Sequence, residues 1–304
     1  MKIENWEMKI VITGATGFIG QNFIPMLVKS EPEVEVLTIN RSVEKAQQLF
    51  PLRQCRHISV EQMAEIVDFK PDMVFHLATL STSRNDWDII EPMMEANLTF
   101  GVKLLHYVAQ CTDLKLFVNI GTFAQYRLGT QQVSDAYLYS ATKTAFRQFV
   151  EYYSHLYGFK YVQIVPYTIY GGKDTAKKLI DYIIESTTAE VPVDMTLGEQ
   201  LLDFTHVEDV ADFFLHLIRN ISLFGHIRNG EEFHLGTGKG TSPREVAAIV
   251  EREFGRKCNI NWGGRPYRPM DTMHSVAPIA KNLELLHWRA KISVEEGVRR
   301  MKER

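Results

Sequence analysis

The segment Lys9–Thr13 together with Gly14, Gly17 and Gly20 restricts the fold of this chain more than any other stretch. Residues 9–13 form a short apolar run rich in β-branched side chains, which predicts a buried strand. A helical pattern follows, up to about Lys29. In the order strand, turn, helix, the first glycine permits a tight turn, the second lets the backbone approach a diphosphate, and the third lets the helix pack on the strand. This order predicts a dinucleotide-binding site in which the diphosphate contacts the N–H groups at the start of the helix. The predicted cofactor-binding residues of this turn are Gly14, Thr16, Gly17, Phe18, Ile19 and Gly20.

The end of the next predicted strand, Glu35 to Asn40, bears on the choice of cofactor. An acidic residue at this point would bind the ribose 2′-hydroxyl of NAD, and none is present. Arg41 and Ser42 instead offer a positive charge and hydrogen-bond donors to a 2′-phosphate. We therefore expect NADP(H), with NAD(H) as the alternative if Arg41 is only a surface arginine.

Strand and helix patterns alternate through the first half of the chain. Strands are expected at 71–78, 116–120 and 161–165, and helices at 88–110 and 135–157, the second with Asp135 as its N-cap and Gly158 as its end. This alternation predicts the α/β class, with a Rossmann-type doubly wound parallel sheet. The pattern is less regular after Pro166, which indicates a smaller C-terminal α/β lobe. We expect a dinucleotide-binding domain at residues 8–165, with a return segment at about 203–225. Residues 166–202 and 226–304 are expected to form the smaller, substrate-binding lobe, and residues 1–7 a tail.

A tyrosine and a lysine four residues apart lie on the second of these helices. Tyr139 is the one tyrosine of the twelve that is followed by lysine at this spacing. Residues at i and i+4 share a helix face, and a fixed ammonium near a phenol favours the phenolate and lowers its pKa. Tyr139 and Lys143 could therefore form a general acid/base for alcohol and ketone interconversion. A solvated helix face with a chance pair is the alternative.

Composition excludes several other classes of function. The formal net charge is -3, and the basic residues are interleaved with acidic ones, so neither nucleic acid nor an anionic membrane is an expected partner. The three cysteines match no metal or disulfide pattern. The first seven residues lack the apolar segment of a signal peptide, and no apolar run is long enough to cross a bilayer. We expect a soluble, cytoplasmic protein without a metal site.

The order of motifs resembles the extended short-chain dehydrogenase/reductases, in particular the NAD-dependent epimerase/dehydratase group acting on nucleotide sugars. The resemblance covers the chain from Met8 and rests on GATGFIG at 14–20, FHLA at 75–78, Asn97, GTF at 121–123, YSATK at 139–143, IYGG at 169–172, DFTHVEDVA at 203–211 and RPMD at 268–271.

The resemblance implies roles for these residues. Thr122 would hydrogen-bond the reacting sugar oxygen beside Tyr139, and Lys143 would hold the nicotinamide ribose. Arg268 would meet the nucleotide's phosphates, unless it is a surface arginine. Phe123 would also contact the substrate, and the cofactor would further contact Leu77, Ala78, Thr79, Asn97, Tyr139, Lys143 and Tyr167. His76 is expected to be structural. The helices at 88–110 and 135–157 would pair with their mates in a homodimer.

Two positions depart from the family pattern. Many relatives have arginine where this chain has Leu202 and Val165, so one or two phosphate or sugar contacts must be made differently. The segment between Thr122 and Tyr139 is also short.

The residues after Thr122 limit the reaction. Phe123 and Ala124 can neither remove a proton nor expel water, as a 4,6-dehydratase requires, and no cysteine or histidine for 3,5-epimerisation stands in this loop. A 4-ketoreductase or a C4 epimerase remains. Arg41 favours the reductase, and the runs at 196–204 and 268–289 are most similar to the CDP-abequose synthase branch, which reduces a CDP-4-keto-deoxyhexose. A non-catalytic dinucleotide sensor is a third hypothesis, because this fold also serves as a cofactor-reading module.

Overall fold

The computed structural model describes residues 8–173 and 176–303, and the predicted tail at 1–7 lies outside this range. The chain divides into two compact units. The first comprises the described residues up to Gly121 together with Tyr137–Ile164 and Phe214–Phe233. The second comprises Thr122–Ala136, Val165–Phe213 and the described residues from His234 onward. The predicted boundaries of a cofactor domain and a substrate lobe stay predictions.

The strands predicted at 9–13, 35–40, 71–78, 116–120 and 161–165 are all present, and several short strands that were not predicted accompany them. In chain order they are β1 Lys9–Thr13, β2 Glu35–Asn40, β3 Cys55–Ser59, β4 Met73–His76, β5 Leu116–Ile120, β6 Tyr161–Pro166, β7 Thr168–Tyr170, β8 Val193–Met195, β9 Leu201–Leu202, β10 Phe204–His206, β11 Glu231–Leu235, β12 Ile260–Trp262 and β13 His274–Ser275.

The helices in chain order are α1 Phe18–Ser30, α2 Val43–Leu49, α3 Glu65–Phe69, α4 Trp87–Met94, α5 Phe100–Val108, α6 Leu138–Tyr157, α7 Leu179–Ser186, α8 Val207–Arg219, α9 Pro243–Phe254, α10 Ala280–Leu286 and α11 Val294–Lys302. Among the described residues, no helix is both long enough and apolar enough to span a bilayer.

Seven strands form one sheet in the order β11-β6-β5-β4-β1-β2-β3. The pairings from β3 across to β6 are parallel. Strands β1, β2, β4, β5 and β6 are buried on both faces, which explains their nearly continuous apolar sequences, whereas the edge strand β3 is only partly buried. The chain moves outward from β1 to β3 and then returns to β4. This reversal between β1 and β4 is where sheets of this type bind ligands, outside the carboxyl ends of the strands. The predicted doubly wound fold is confirmed.

The glycine turn after β1 has the conformation that its sequence predicts. Gly14 has a φ of +70°, and a Cβ added there would lie 2.5 Å from the backbone nitrogen of Ala78. A Cβ at Gly20 would overlap the backbone of Ala15, so this glycine allows α1 to approach the turn closely. Gly17 is the N-cap residue of α1. Gly14 and Gly20 therefore have a steric reason for their places, whereas Gly17 has an ordinary extended backbone conformation.

The helix predicted at 88–110 contains a π-turn. It begins at Trp87, takes π-helical hydrogen bonds over Glu95–Thr99, and continues as α5 to Val108. The extra residue in this turn leaves Asn97 only 2% exposed. Helical periodicity in the sequence cannot reveal such a turn, because the apolar pattern continues on both sides of it.

The predicted N-cap of α6 was two residues too early. The helix begins at Leu138, with Tyr137 as its N-cap rather than Asp135. The Tyr137 N–H donates to the side-chain oxygen of Ser140, whereas the Ala136 N–H donates to the Ala124 carbonyl in the preceding segment. The side chain of Ser140 thus supplies the capping acceptor. The predicted end at Gly158 is confirmed, with φ +79°.

A buried carboxylate organises the second unit. Asp203 is fully buried between β9 and β10 and accepts hydrogen bonds of 2.6 to 3.1 Å from the Thr237 N–H and hydroxyl and from the N–H groups of Gly238 and Ala277. Burial raises the pKa of the Asp203 carboxyl, and the donated hydrogen bonds act against that shift. The Asp-Phe pair of the 203–211 motif is therefore a structural device that ties two loops to the strands.

We expect Asp203→Asn to destabilise the protein, because an amide presents two N–H hydrogens to groups that are themselves donors. Leaving two or more buried donors unpaired should lower the free energy of unfolding by about 2–4 kcal/mol. Urea unfolding followed by circular dichroism would measure it. Asp113→Asn, at an exposed loop position, is the matched control and should change the value by less than about 0.5 kcal/mol. Equal values for the two variants would show that Asp203 does not have this role.

Candidate functional site

The turns after β1 and β4 meet at the carboxyl edge of the sheet. The Leu77 N–H donates to the Thr13 carbonyl at 3.3 Å, and the Ala78 N–H donates to the Thr13 hydroxyl at 3.2 Å. Because the Cβ position of Gly14 is occupied by the backbone of Ala78, these two predicted cofactor segments lie in direct contact. The structure therefore brings the predicted residues 14–20 and 77–78 together at the point where the strand order reverses.

Asn97 ties three predicted elements of the first unit to one another. Its side-chain oxygen accepts from the Leu80 N–H at 2.7 Å and from the Thr79 hydroxyl at 3.1 Å, and its amide donates to the Thr142 hydroxyl at 2.9 Å. The amide also donates to the Leu80 carbonyl. The loop after β4 is thus fixed to the helix that carries Tyr139 and Lys143. Sequence analysis missed Thr142, since its contact spans 45 residues.

Lys143 is a buried cation on α6. It is 3% exposed, and burial lowers the pKa of its ammonium to about 8. No carboxylate among the described residues forms an ion pair with it. Tyr139 stands one turn earlier on the same face and is half-buried. A desolvated ammonium close to a tyrosine is an arrangement often found at functional sites.

His76 lies beneath this helix and is engaged on several sides. It is 1% exposed, its Nδ1 lies 2.8 Å from the Thr13 hydroxyl, and rings of Phe100, Phe117 and Phe146 surround it at 5.0 to 6.2 Å. Burial, with a smaller contribution from the charge of Lys143, lowers the pKa of His76 to about 3. The imidazole is therefore neutral at physiological pH, and its contacts are those of a structural residue.

Arg41 and Ser42 follow β2 as predicted, but Ser42 has a second role. It is the N-cap of α2, and its hydroxyl accepts from the Lys45 N–H at 3.2 Å and donates to the Glu44 carboxylate at 3.1 Å. Arg41 is exposed. A carboxylate beside Ser42 disfavours an incoming phosphate, whereas Arg41 favours one. The local charge at this position is therefore mixed.

Thr122 begins a short 3-10 turn, Phe123–Gln125, in the second unit. The Thr122 hydroxyl accepts from the Ala124 N–H at 3.3 Å, and the Thr122 N–H donates to the side chain of Gln125 at 2.9 Å. Phe123 stacks on Tyr167 with ring centroids 5.9 Å apart. Because this hydroxyl only accepts within the turn, its hydrogen can be donated to a ligand.

Arg268 lies in an exposed loop of the same unit. Its side chain pairs with Asp271 at 3.7 Å, and its N–H donates to the same carboxylate at 3.1 Å. Leu202 and Val165, the two departures from the family pattern, are buried apolar residues. Arg268 thus offers a guanidinium, and the other two positions offer none.

The candidate residues of the two units, each taken by itself, suit the same kind of reaction. The first unit holds a glycine cradle, a fixed loop after β4, and an ammonium paired in sequence with a phenol. The second holds a hydroxyl at the start of a tight turn and an exposed guanidinium. These groups suit a dinucleotide and a phosphorylated substrate with an oxygen to be protonated or deprotonated. The two residues that follow Thr122 in sequence, Phe123 and Ala124, offer no carboxylate for the second acid/base pair that an elimination would need.

Comparison with known proteins agrees with this chemistry. The sequence model of the NAD dependent epimerase/dehydratase family matches residues 10–236. The chain is 26% identical to the CDP-abequose synthase of Salmonella typhimurium, over 97% of each protein. It is 25% identical to the CDP-abequose synthase of Yersinia pseudotuberculosis, over 94% of this chain and 96% of that protein. The UDP-glucose 4-epimerase of Mycolicibacterium smegmatis is 24% identical over 96% of each.

Solved structures share the fold. The UDP-glucuronic acid 4-epimerase of Bacillus cereus, in complex with UDP-glucuronic acid and NAD, superposes with a TM-score of 0.83 at 21% identity, over 96% of each chain. The UDP-glucose 4-epimerase of Thermus thermophilus, in complex with NAD, has a TM-score of 0.79 at 22% identity, over 96% of this chain and 97% of that one. Because the family model spans most of its length, the chain belongs to the NAD dependent epimerase/dehydratase family and is an enzyme of the nucleotide-sugar oxidoreductase and epimerase class.

Proposed function

We propose that the protein is an NADP(H)-dependent reductase of the 4-keto group of a nucleotide-linked deoxyhexose, with a CDP-sugar as the expected substrate. Similarity to CDP-abequose synthases along nearly the entire length of both proteins supports this proposal most strongly. The residues that follow Thr122 support it further. Phe123 and Ala124 cannot act as the acid and base of an elimination, so hydride exchange remains as the reaction.

The residues at the carboxyl edge of the sheet fit a nicotinamide dinucleotide. Gly14, Gly17 and Gly20 would hold the diphosphate at the N-terminal N–H groups of α1. Side chains at Gly14 or Gly20 would overlap the neighbouring backbone and distort this turn. Lys143 would hold the nicotinamide ribose, and Tyr167 would contact the nicotinamide end. When bound, the cofactor supplies the hydride of the reaction.

The chain's own residues would manage the proton. Tyr139 would donate its phenolic proton to the sugar oxygen as the ketone becomes an alcohol, and Thr122 would donate a hydrogen bond to the same oxygen. The ammonium of Lys143 would favour the phenolate that remains. Arg268 would bind the nucleotide's phosphates, and its exposure leaves the guanidinium accessible to them.

A C4 epimerase that retains NAD is the second candidate. Two observations favour it: the solved neighbours named above hold NAD, and Glu44 lies beside Ser42, where a 2′-phosphate would have to bind. The two functions differ in stoichiometry. A reductase consumes one NADPH for each sugar, whereas an epimerase interconverts sugars without net consumption of cofactor.

Tyr139→Phe tests the proposed chemistry. Stopped-flow absorbance of NADPH with CDP-, UDP- and dTDP-linked 4-keto-deoxyhexoses should show oxidation by the wild-type enzyme, fastest with the CDP-sugar. The variant should bind NADPH almost normally and turn over about 10²–10⁴-fold more slowly, the usual cost of losing a general acid. Tyr157→Phe, at an exposed position on the same helix, is the control. Unchanged turnover in Tyr139→Phe would remove this residue from the mechanism, and absence of oxidation with every sugar would contradict the reductase.

Arg41 and Glu44 provide a paired test of cofactor choice. Arg41→Ala should weaken NADPH binding roughly 10–100-fold by removing a charge-assisted hydrogen bond and should change NADH binding little. Glu44→Gln removes the opposing charge and should strengthen NADPH binding alone. Fluorescence titration of each variant with both cofactors gives the ratios. Equal effects on NADPH and NADH would place recognition of the 2′-phosphate elsewhere.

The proposed homodimer has a surface on the described part of α6. Four large apolar side chains are between 41% and 59% exposed on this helix: Phe149, Tyr152, Leu156 and Tyr157. A stripe of this kind is typical of a protein interface. Cytoplasmic location remains a prediction.

Leu156→Glu combined with Phe149→Glu should convert the dimer to a monomer, because two carboxylates on each copy would lose their hydration in the interface. Light scattering at micromolar concentration would report the change in mass. Val191→Glu places the same charge at an exposed apolar position of the second unit and should leave the dimer intact. A wild-type protein that is already monomeric would contradict the proposed assembly.

A further inference from the structure

Four rings of the second unit form a continuous aromatic column beside the Thr122 turn. Phe123 stacks on Tyr167 at 5.9 Å, Tyr167 meets His234 at 5.9 Å, and His234 meets Tyr126 at 5.4 Å. We define the aromatic column as Phe123, Tyr167, His234 and Tyr126. The last three are buried, with exposures of 4% to 8%.

The two ends of the column belong to the same turn. The Tyr126 N–H donates to the Phe123 carbonyl at 2.9 Å, and the Gln125 N–H donates to the Thr122 carbonyl at 3.1 Å. The turn that begins with Thr122 therefore places one ring at each end of the Tyr167–His234 pair. Any displacement of the turn along the column would break one of the two ring contacts.

The centre of the column is a buried hydrogen bond between residues on two strand ends. The Tyr167 hydroxyl and His234 Nδ1 are 3.0 Å apart. The Tyr167 N–H donates to the Leu235 carbonyl, and the side-chain amide of Asn282 donates to the His234 carbonyl. The pair is thus held by backbone contacts of its own, independently of the turn, and forms a fixed support for it.

We propose that His234 is a positioning residue for the Thr122 hydroxyl. Its imidazole fixes the phenol of Tyr167, and the two rings together hold Phe123 and Tyr126, which sets the orientation of the turn that presents Thr122. The inference rests on the proposed function in one respect, namely that Thr122 contacts the reacting sugar oxygen. His234 itself does not touch the substrate in this account, because its Nδ1 is engaged by Tyr167 within a buried column.

His234→Phe tests the proposal, since phenylalanine keeps a ring in the column but removes the hydrogen-bonding nitrogen. Single-turnover hydride transfer with NADPH and a 4-keto nucleotide sugar should slow by about tenfold, the order expected when a contact to the reacting atom is misplaced. The KM for the sugar and the Kd for NADPH should change less than about twofold. His234→Asn, which retains a hydrogen-bonding group near the Nδ1 position, should recover part of the rate. His226→Phe, at an exposed position, is the control.

A double mutant separates positioning from general structural damage. If His234 acts through Thr122, His234→Phe should slow the Thr122→Val enzyme by less than about twofold, because the hydroxyl that it positions is already absent. Tyr167→Phe removes the same hydrogen bond from the other side and should give the same pattern of hydride-transfer rates at saturating NADPH, which keeps the test informative if His234→Phe does not fold. Because Tyr167 is also proposed to contact the cofactor, the NADPH affinity is compared for His234→Phe alone.

Three outcomes would overturn the proposal: the same tenfold slowing in the Thr122→Val background, no slowing in either background, or a matching loss of NADPH affinity. An unchanged rate in Thr122→Val alone would remove Thr122 from the reaction and this proposal with it, while NADPH-dependent reduction continued. Failure of the wild-type enzyme to reduce any 4-keto nucleotide sugar would instead overturn the proposed function.

Discussion

The burial of the Lys143 ammonium is the constraint on which the account of the first unit depends. A cation that is 3% exposed, with no carboxylate partner in the described parts of the chain, is costly to the fold. Its pKa of about 8 reflects that cost. His76 is neutral beneath the helix, so it adds no second positive charge near Lys143. Asn97 fixes the neighbouring Thr142 and the loop after β4. The proposed roles of Lys143 beside the Tyr139 phenol and the nicotinamide ribose would account for burying this charge.

The second unit contributes chemistry of a different kind. Its groups are a hydroxyl presented by a tight turn and an exposed guanidinium. The Asp203 carboxylate fixes two loops of the same unit, and in our proposal the aromatic column orients the turn. Leu202 and Val165 make this unit poorer in positive charge than the family pattern. In the proposed reaction, arginines make fewer of the contacts to the substrate's phosphates. Selectivity for the nucleotide sugar then depends more on the shape and polarity of the loops around Thr122 and Arg268.

Most of the fold could be predicted from the sequence, because the information is local. The β-branched run at 9–13, the glycine spacing and the helix-ending Gly158 each determine structure within a few residues.

The predicted N-cap of α6 was wrong because Ser140, inside the helix, supplies the capping acceptor in place of Asp135. The π-turn around Asn97 was missed because it leaves the apolar period intact. The Tyr167–His234 and Asn97–Thr142 contacts join residues 67 and 45 positions apart, and one sequence gives no local sign of either. Among the site residues, the proximity of 14–20 to 77–78 follows from parallel strand topology, whereas the competing role of Ser42 as a helix cap does not.

In the proposed reaction this chain delivers one hydride from NADPH to the C4 carbonyl of a nucleotide sugar, while Tyr139 supplies the proton. The decisive measurement is mass spectrometry of the sugar formed with NADPH that carries deuterium at both hydrogen positions of nicotinamide C4. We expect one deuterium, bound to sugar C4, in every product molecule and one equivalent of NADP⁺ released for each. A product without deuterium, or isomerised sugar formed without net loss of reduced cofactor, would contradict it.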